Sequence, residues 1–388
     1  MPIHLINPSD NSFGTAVITP RWLFVLAAAT PRSMGDPVLV DESLEQLDPQ
    51  TIQSGDVVGI SVHTGNALRG YEVGRFAHDR GAQVVYGGIH ATLFPEEPFE
   101  RGAADAVVKG DGDVAWGQVL RDLEAGCAKR IYDGGKIGGD EFLAARWDLM
   151  QTDKYMWASV QTIRGCPKHC SFCSVWRTDG QKPRQRPFEK VIDEIIDLRR
   201  RGFRFIALAD DNFYPVTMTD LRLAREQHNL EKVESLTQIR NERFSLMAEL
   251  AKLPQDMVFF TQITMESAED TEYLDAMRRA NIKGALVGVE AVTPEGLKAV
   301  YKDFNYSGDR LVDTVANVPK AWSPCAWIVH LWTSFRPAQH IRSDGRTGPQ
   351  GGGDIRAVVM MTPFPGTVDF GRWEIVESWN EINDGETE

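Results

Sequence analysis

The sequence predicts an α/β protein in two parts: an open, doubly wound parallel sheet, then a partial β/α barrel. Three observations lead there. Short apolar runs alternate with amphipathic stretches through the first third of the chain, and the alternation resumes after residue 157. A glycine-rich connector, Asp133–Gly139, separates the two series. Cys166, Cys170 and Cys173, spaced C-x3-C-x2-C, follow directly on the first strand of the second series. A chain of 388 residues suggests two or three domains.

In the first series, His4–Asn7 is a short apolar strand that turns at Asn7 and Pro8. Asp56–Val62 reads as a buried strand and Asn66–Arg80 as a helix stopped at Gly81. Gln83–Tyr86 is the next strand, Asp105–Val108 another, and Asp113–Glu124 a helix stopped at Gly126. Such sheets bind ligands at the carboxyl ends of their strands. Here those ends carry Ser61, His63, Thr64, Gly87, Gly88, His90, Gly110 and Gly112. The glycines let a large flat ligand approach the backbone, or are only tight turns. His63 and His90 are the histidines on that face, and the ordinary alternative for each is a hydrogen-bonded loop histidine. Residues 131–157 read as a linker packing on both halves.

The second series opens with a strand over Ser159–Ile163, and the cysteine loop follows. Three thiolates on one short loop can hold three irons of a 4Fe-4S cluster, leaving the fourth iron open. Zinc and a redox dithiol are the alternatives. Zinc usually takes four ligands, and a Cys170–Cys173 redox pair would leave Cys166 unused. Glu189–Arg201 is an amphipathic helix with Val191, Ile192, Ile195 and Leu198 on one face. Strands over Arg204–Ala209, Met257–Thr264 and Ala285–Val289 end in Asp210 and Asp211, near Glu266, and in Glu290. Helices over 269–280 and 294–303 separate the later strands. Polar residues at strand ends are where barrel enzymes keep their chemistry. Asp210 and Asp211 could instead cap a helix, and Glu290 could be an ordinary structural carboxylate. The charge-rich segment 217–256 reads as a solvated helical hairpin, with a substrate or partner element as the alternative.

C-x3-C-x2-C with Phe172 before the last cysteine resembles the signature of the radical SAM superfamily, over about residues 155–318 and 357–372. The resemblance implies a partial (β/α)6 TIM-type barrel in which Cys166, Cys170 and Cys173 ligate the cluster. The open iron would chelate S-adenosyl-L-methionine (SAM), and one electron would cleave it to a 5'-deoxyadenosyl radical. Phe172, Asp210, Asp211, Gln262, Thr264, Glu266, Gly288 and Glu290 fall where the family contacts SAM. Gly87–Glu97 and Val108–Gly112 resemble the cobalamin-binding, Rossmann-like domain that precedes the catalytic domain in one class of these enzymes. The D-x-H-x-x-G signature of the methionine-synthase type is absent. The resemblance therefore implies cobalamin without a histidine ligand, or with a weak one. Ser61, His63, Thr64, Gly87, Gly88, His90, Gly110 and Gly112 are the cobalamin-site candidates.

After Pro319 the pattern breaks. Residues 321–356 carry Trp322, Trp327 and Trp332, then a stretch rich in Arg, Gly, Pro and Gln. A fifth barrel strand ending in a glycine-rich turn is expected by resemblance and is not found there. Ala357–Thr367 then resembles the family's sixth strand. The segment reads as out of frame through compensating insertions and deletions; a genuine insertion is the rival. Reading the coding DNA in the other frames decides between them. The expected organisation is a cobalamin-binding-like domain over 1–130, a linker over 131–157, a barrel over 158–374 and an acidic tail over 375–388, with no further C-terminal domain.

Composition excludes several classes. The chain is 42% hydrophobic and 25% charged, as globular proteins are, and its net charge of -13 argues against a nucleic-acid surface. No apolar run reaches the roughly 18 residues of a membrane span. Trp22–Ala29 is apolar but too short for a leader, and no leader pattern surrounds it. Five cysteines, three of them clustered, do not form a disulfide framework and fit a reducing, cytoplasmic compartment. The leading expectation is a radical SAM enzyme that methylates, or oxidatively rearranges, an unactivated carbon of a small-molecule, lipid or tetrapyrrole-type substrate. A one-electron donor such as flavodoxin or ferredoxin is the implied partner. The alternatives are a radical SAM enzyme without functional cobalamin and a degenerate cluster-binding protein that is not an enzyme.

Overall fold

The computed structural model describes residues 1–9, 18–311, 327–331, 357–358 and 367–369. Its first sheet has six strands: β1 (Ile3–Asn7), β2 (Val38–Asp41), β3 (Val57–Ser61), β4 (Gln83–Gly87), β5 (Ala106–Lys109) and β6 (Ile131–Asp133). All are parallel, in the order β2-β1-β3-β4-β5-β6. The order reverses between β1 and β3, which opens a crevice at their carboxyl ends. β1, β3 and β4 are almost wholly buried, as sheets covered on both faces are. The helices over Ala67–Asp79 and Gly112–Glu124 lie within one or two residues of those expected. β6 lies inside the segment read as linker.

The second sheet begins with β7 (Ala158–Val160). A two-stranded antiparallel pair, β8 (Ile163–Arg164) and β9 (Arg184–Gln185), follows it. The sheet continues with β10 (Phe205–Leu208), β11 (Val258–Ile263), β12 (Ile282–Gly288), β13 (Trp327–Leu331) and β14 (Ala357–Val358). Its six strands are parallel and stand in chain order, as in an opened-out β/α barrel. The expectation that the fifth strand is missing is corrected. Trp327–Leu331 is that strand, with Ala285 opposite Trp327 and Gly288 opposite His330. Trp-Ile-Val-His-Leu is a buried-strand composition; tryptophan-rich surroundings and the abrupt change after it concealed the strand. The turn expected after it, and most of the stretch read as out of frame, lie outside the described residues.

One apolar core joins both sheets, running from Leu5, Leu23 and Trp116 through Trp147 to Val160, Ile206 and Phe259. The connector supplies Trp147, whose indole donates to Glu194 Oε1 at 3.1 Å. Arg21 clasps the same carboxylate at 3.0 and 3.1 Å, and Arg186 pairs with it at 2.5 Å. The charge-rich segment is a helical hairpin, Met218–Glu226 and Leu230–Leu250. It is not solvated throughout: Leu246, Met247 and Leu250 enter the core, and Arg240 and Arg243 are buried with them.

Candidate active site

The cysteine loop leaves β8 and returns on β9, so the antiparallel pair pins its base. Gly165 opens the loop at φ +87°; a side chain there would strain the backbone and press on Gly180 O at 2.9 Å. Ser171 N donates to Val300 O at 3.1 Å and the Trp176 indole to Cys170 O at 3.1 Å. Ser171 Oγ donates to Asp369 Oδ2 at 2.6 Å, so a segment near the end of the described chain braces the loop. Cys170, Phe172 and Val300 form a small apolar patch with Cys173 and Phe304 beside it. Burial pushes the Cys170 thiol up to about 11 and the Cys173 thiol up to about 12, and raises Cys166. Such thiols are neutral until a metal's charge draws off the proton. The described residues hold no group of three side chains that could ligate a single metal ion. A cluster asks for something else: each thiolate takes a different iron. The three cysteines fit it.

The expected SAM contacts gather at the carboxyl ends of β10, β11 and β12, beside this loop, but most are already engaged. Asp210 accepts from Thr162 N at 2.6 Å, Thr162 Oγ1 at 2.5 Å and Ile163 N at 3.0 Å. Its backbone oxygen accepts from the Gln262 amide. Asp211 accepts from Gly165 N at 2.6 Å, and burial together with neighbouring Asp179 pushes its carboxyl up to about 7. Thr264 stands at the start of the turn Met265–Glu269 and makes no side-chain capping bond to it. Glu266 pairs with Lys168 of the cysteine loop at 2.7 Å. Glu290, in the left-handed region at φ +59°, pairs with buried Lys302, which also donates to Gly288 O at 3.0 Å. A Cβ on Gly288 would lie 2.1 Å from Glu290 Oε1 and 2.6 Å from Lys302 Nζ, so a side chain there would displace the pair. The sequence reading missed Lys168, Lys302 and Arg243. Lys168 had a signal, its position between the first two cysteines; Lys302 lies in the loop after the helix Pro294–Ala299, and Arg243 on the helix Leu230–Leu250.

A cavity of ≈ 290 Å³ opens between the two sheets. Ser61, Gly87, Gly88, Gly110 and Gly112 line it from the ends of β3, β4 and β5, together with Trp22 and Leu26 from the helix after β1. Gln161, Arg164, Asp179 and Ala209 line it from the barrel side. His63, Thr64 and His90 do not. His63 Nδ1 accepts from Gly65 N at 3.1 Å. The His90 ring is buried, with Nε2 3.1 Å from Glu97 and Nδ1 3.4 Å from Thr64 Oγ1. The wall beside Gly88 depends on the missing side chain, for Gly88 sits at φ +91° and its Cβ would meet Ser61 Oγ and Val62 O, both at 2.6 Å. Gly88→Ala is expected to cost about 1–3 kcal/mol of stability, read by denaturant unfolding.

The sequence pattern of the Radical SAM superfamily matches residues 160–331, through the end of β13. An uncharacterized methyltransferase of Synechocystis sp. is 26% identical over 253 residues, covering 63% of this chain and 42% of its own length. The bacteriochlorophyllide d C-12(1)-methyltransferase of Chlorobaculum tepidum is 25% identical, over 75% of this chain and 59% of its own. The chain spans about half the length of the curated relatives it matches. The solved structure of the radical SAM methyltransferase TsrM of Kitasatospora setae, with cobalamin and a 4Fe-4S cluster bound, is similar to this fold. Its TM-score is 0.71 at 17% identity, over 95% of this chain and 74% of that one.

Proposed function

We propose that this chain, which belongs to the radical SAM superfamily, is a cobalamin-dependent enzyme that methylates an unactivated carbon of a small molecule. One observation carries the reading: Arg164, two residues before Cys166, lines the cavity at the ends of the doubly wound sheet and pairs there with Asp111 and Asp113. When bound, the cluster supplies the electron that cleaves SAM, and cobalamin supplies the methyl group. The chain's residues do the rest. Cys166, Cys170 and Cys173 hold three irons. The polar strand ends at Asp211, Thr264 and Glu266 receive SAM, with Lys168 released from Glu266 or bridging to the SAM carboxylate. The backbone at Gly87, Gly88, Gly110 and Gly112 admits a flat ring system closely, while Trp22 and Leu26 keep water from it.

Neither candidate histidine lines the cavity, which supports cobalamin held without an imidazole from His63 or His90. The substrate class follows the relatives, which include the bacteriochlorophyllide d C-12(1)-methyltransferase. Oxidative rearrangement of the same kind of substrate is the second outcome open to this cofactor set. A small electron-transfer protein of the flavodoxin or ferredoxin type would deliver the electron. Among the described residues no helix is long and apolar enough to cross a membrane. The cluster calls for a reducing compartment, and we place the protein in the cytoplasm on that ground.

Anaerobic reconstitution tests the reading. The protein is expected to take up about four irons, retain hydroxocobalamin through desalting, and release 5'-deoxyadenosine with reductant and SAM. An intact cluster that cleaves no SAM would sink the enzyme assignment. SAM cleavage without cobalamin retention would remove the cobalamin part alone.

A further inference from the structure

We propose that Arg164 is a positioning residue that couples the cavity of the first sheet to the cysteine loop, so that a ligand in the cavity alters SAM affinity at the cluster. The inference rests on the reading of that cavity as the cobalamin site.

Arg164 stands two residues before Cys166, with only Gly165 between them. Its Nη1 donates to Asp111 Oδ1 at 2.8 Å and to Asp113 Oδ2 at 2.9 Å; its Nη2 donates to Asp113 Oδ1 at 3.1 Å. Nε donates to Gln161 at 2.7 Å, and the guanidinium lies 4.1 Å from the centre of the Phe142 ring. Four directional bonds and a stacked face leave the group little freedom to turn. Asp111 and Asp113 flank Gly112, which lines the cavity along with both of them. The far carboxylate oxygen of Asp111 pairs with Arg184 and accepts from Ile137 N at 2.8 Å. Arg164 and Arg184 stand opposite each other in the β8–β9 pair at the base of the loop. Both arms of the cysteine loop are therefore tied to one edge of the cavity.

A plain adhesive role is a weaker account of these contacts. The sheets are already joined elsewhere by Arg21, Arg186 and Glu194. A shift of the 110–113 wall has a direct route to Cys166 through Arg164, and a displacement of the loop has the same route back. Coupling between two sites is reciprocal in binding free energy.

The cluster-loaded chain tests this by calorimetric titration of SAM with and without saturating hydroxocobalamin. Wild type is expected to show a SAM affinity changed about fivefold or more by cobalamin. Arg164→Lys, which keeps the charge but loses the two-pronged grip, and Asp113→Asn are expected to hold iron and stay folded, melting below wild type as a weakened buried pair does, while the ratio falls to about one. The proposal is overturned by an unchanged ratio in both variants, or by a wild-type ratio of one with cobalamin retained. It is also overturned if both variants lose iron and melt early together, which is the mark of a structural role alone. A wild type that retains no cobalamin overturns the cavity assignment on which the proposal stands, a result distinct from the others.

Discussion

Cys170→Ala is expected to give a colourless protein that releases no 5'-deoxyadenosine above background, a loss of at least about a thousandfold. The reason is specific to the loop. Cys170 supplies one of three thiolates, and no other cysteine lies within reach among the described residues: Cys127 is exposed on the first sheet's side. The scaffold around the position does not depend on its sulfur. The bonds that hold the loop there run through backbone atoms and neighbours: Cys173 N to Cys170 O at 3.1 Å, the Trp176 indole to the same oxygen, and Ser171 to Val300 and Asp369. The variant should therefore melt near the temperature of the unreconstituted wild type while losing its iron. Iron content, visible absorbance and chromatography of the nucleoside product check all three. Cys127→Ala is the control and should change none of them. Retained iron and SAM cleavage in Cys170→Ala would show that the ligands lie elsewhere. A single equivalent of zinc after reconstitution would restore the structural-metal alternative.

The fold was largely legible because burial on both faces writes parallel strands as continuous apolar runs. Val57–Ser61 and Gln83–Gly87 announce themselves in that way. Short edge strands did not. Val38–Asp41 and Ile131–Asp133 have three or four residues and partly exposed faces, too little for a pattern. The cysteine loop was legible from spacing alone, since three soft ligands in eight residues have few other uses. The polar partners were harder. Asp210 and Glu290 were placed at the correct strand ends, but sequence cannot show that a buried arginine from a helix or a buried lysine from a loop will occupy them. Arg243 and Lys302 do so from 33 and 12 residues away. A charge run such as Glu231–Glu249 normally faces water; here two of its arginines turn inward because carboxylates wait at the barrel's end.

The two adjacent acids after β10 should separate cleanly. Asp210→Ala is expected to destabilise the protein by about 3–5 kcal/mol, enough to remove much of the stability of an ordinary domain. Asp210 is 1% exposed and takes three donors from the β7–β8 turn. Thr162 Oγ1 donates to it while accepting from Arg243 Nη1 at 2.7 Å, so the hydroxyl relays between a buried anion and a buried cation 4.0 Å apart. Removing the carboxylate orphans two backbone N–H groups and leaves the Arg243 charge without its partner. Asp210→Asn, which keeps one acceptor, should cost less, roughly 1–3 kcal/mol. Among the described residues Asp211 accepts only from Gly165 N, and it is less completely buried than Asp210. Asp211→Asn should leave unfolding nearly unchanged and instead weaken SAM binding about tenfold, about 1.4 kcal/mol. Urea unfolding of both variants, with SAM titration of the reconstituted proteins, decides the matter. Equal losses of stability would mean that both acids are structural, and SAM would then have to be held at its methionine end by the ends of β11 and β12.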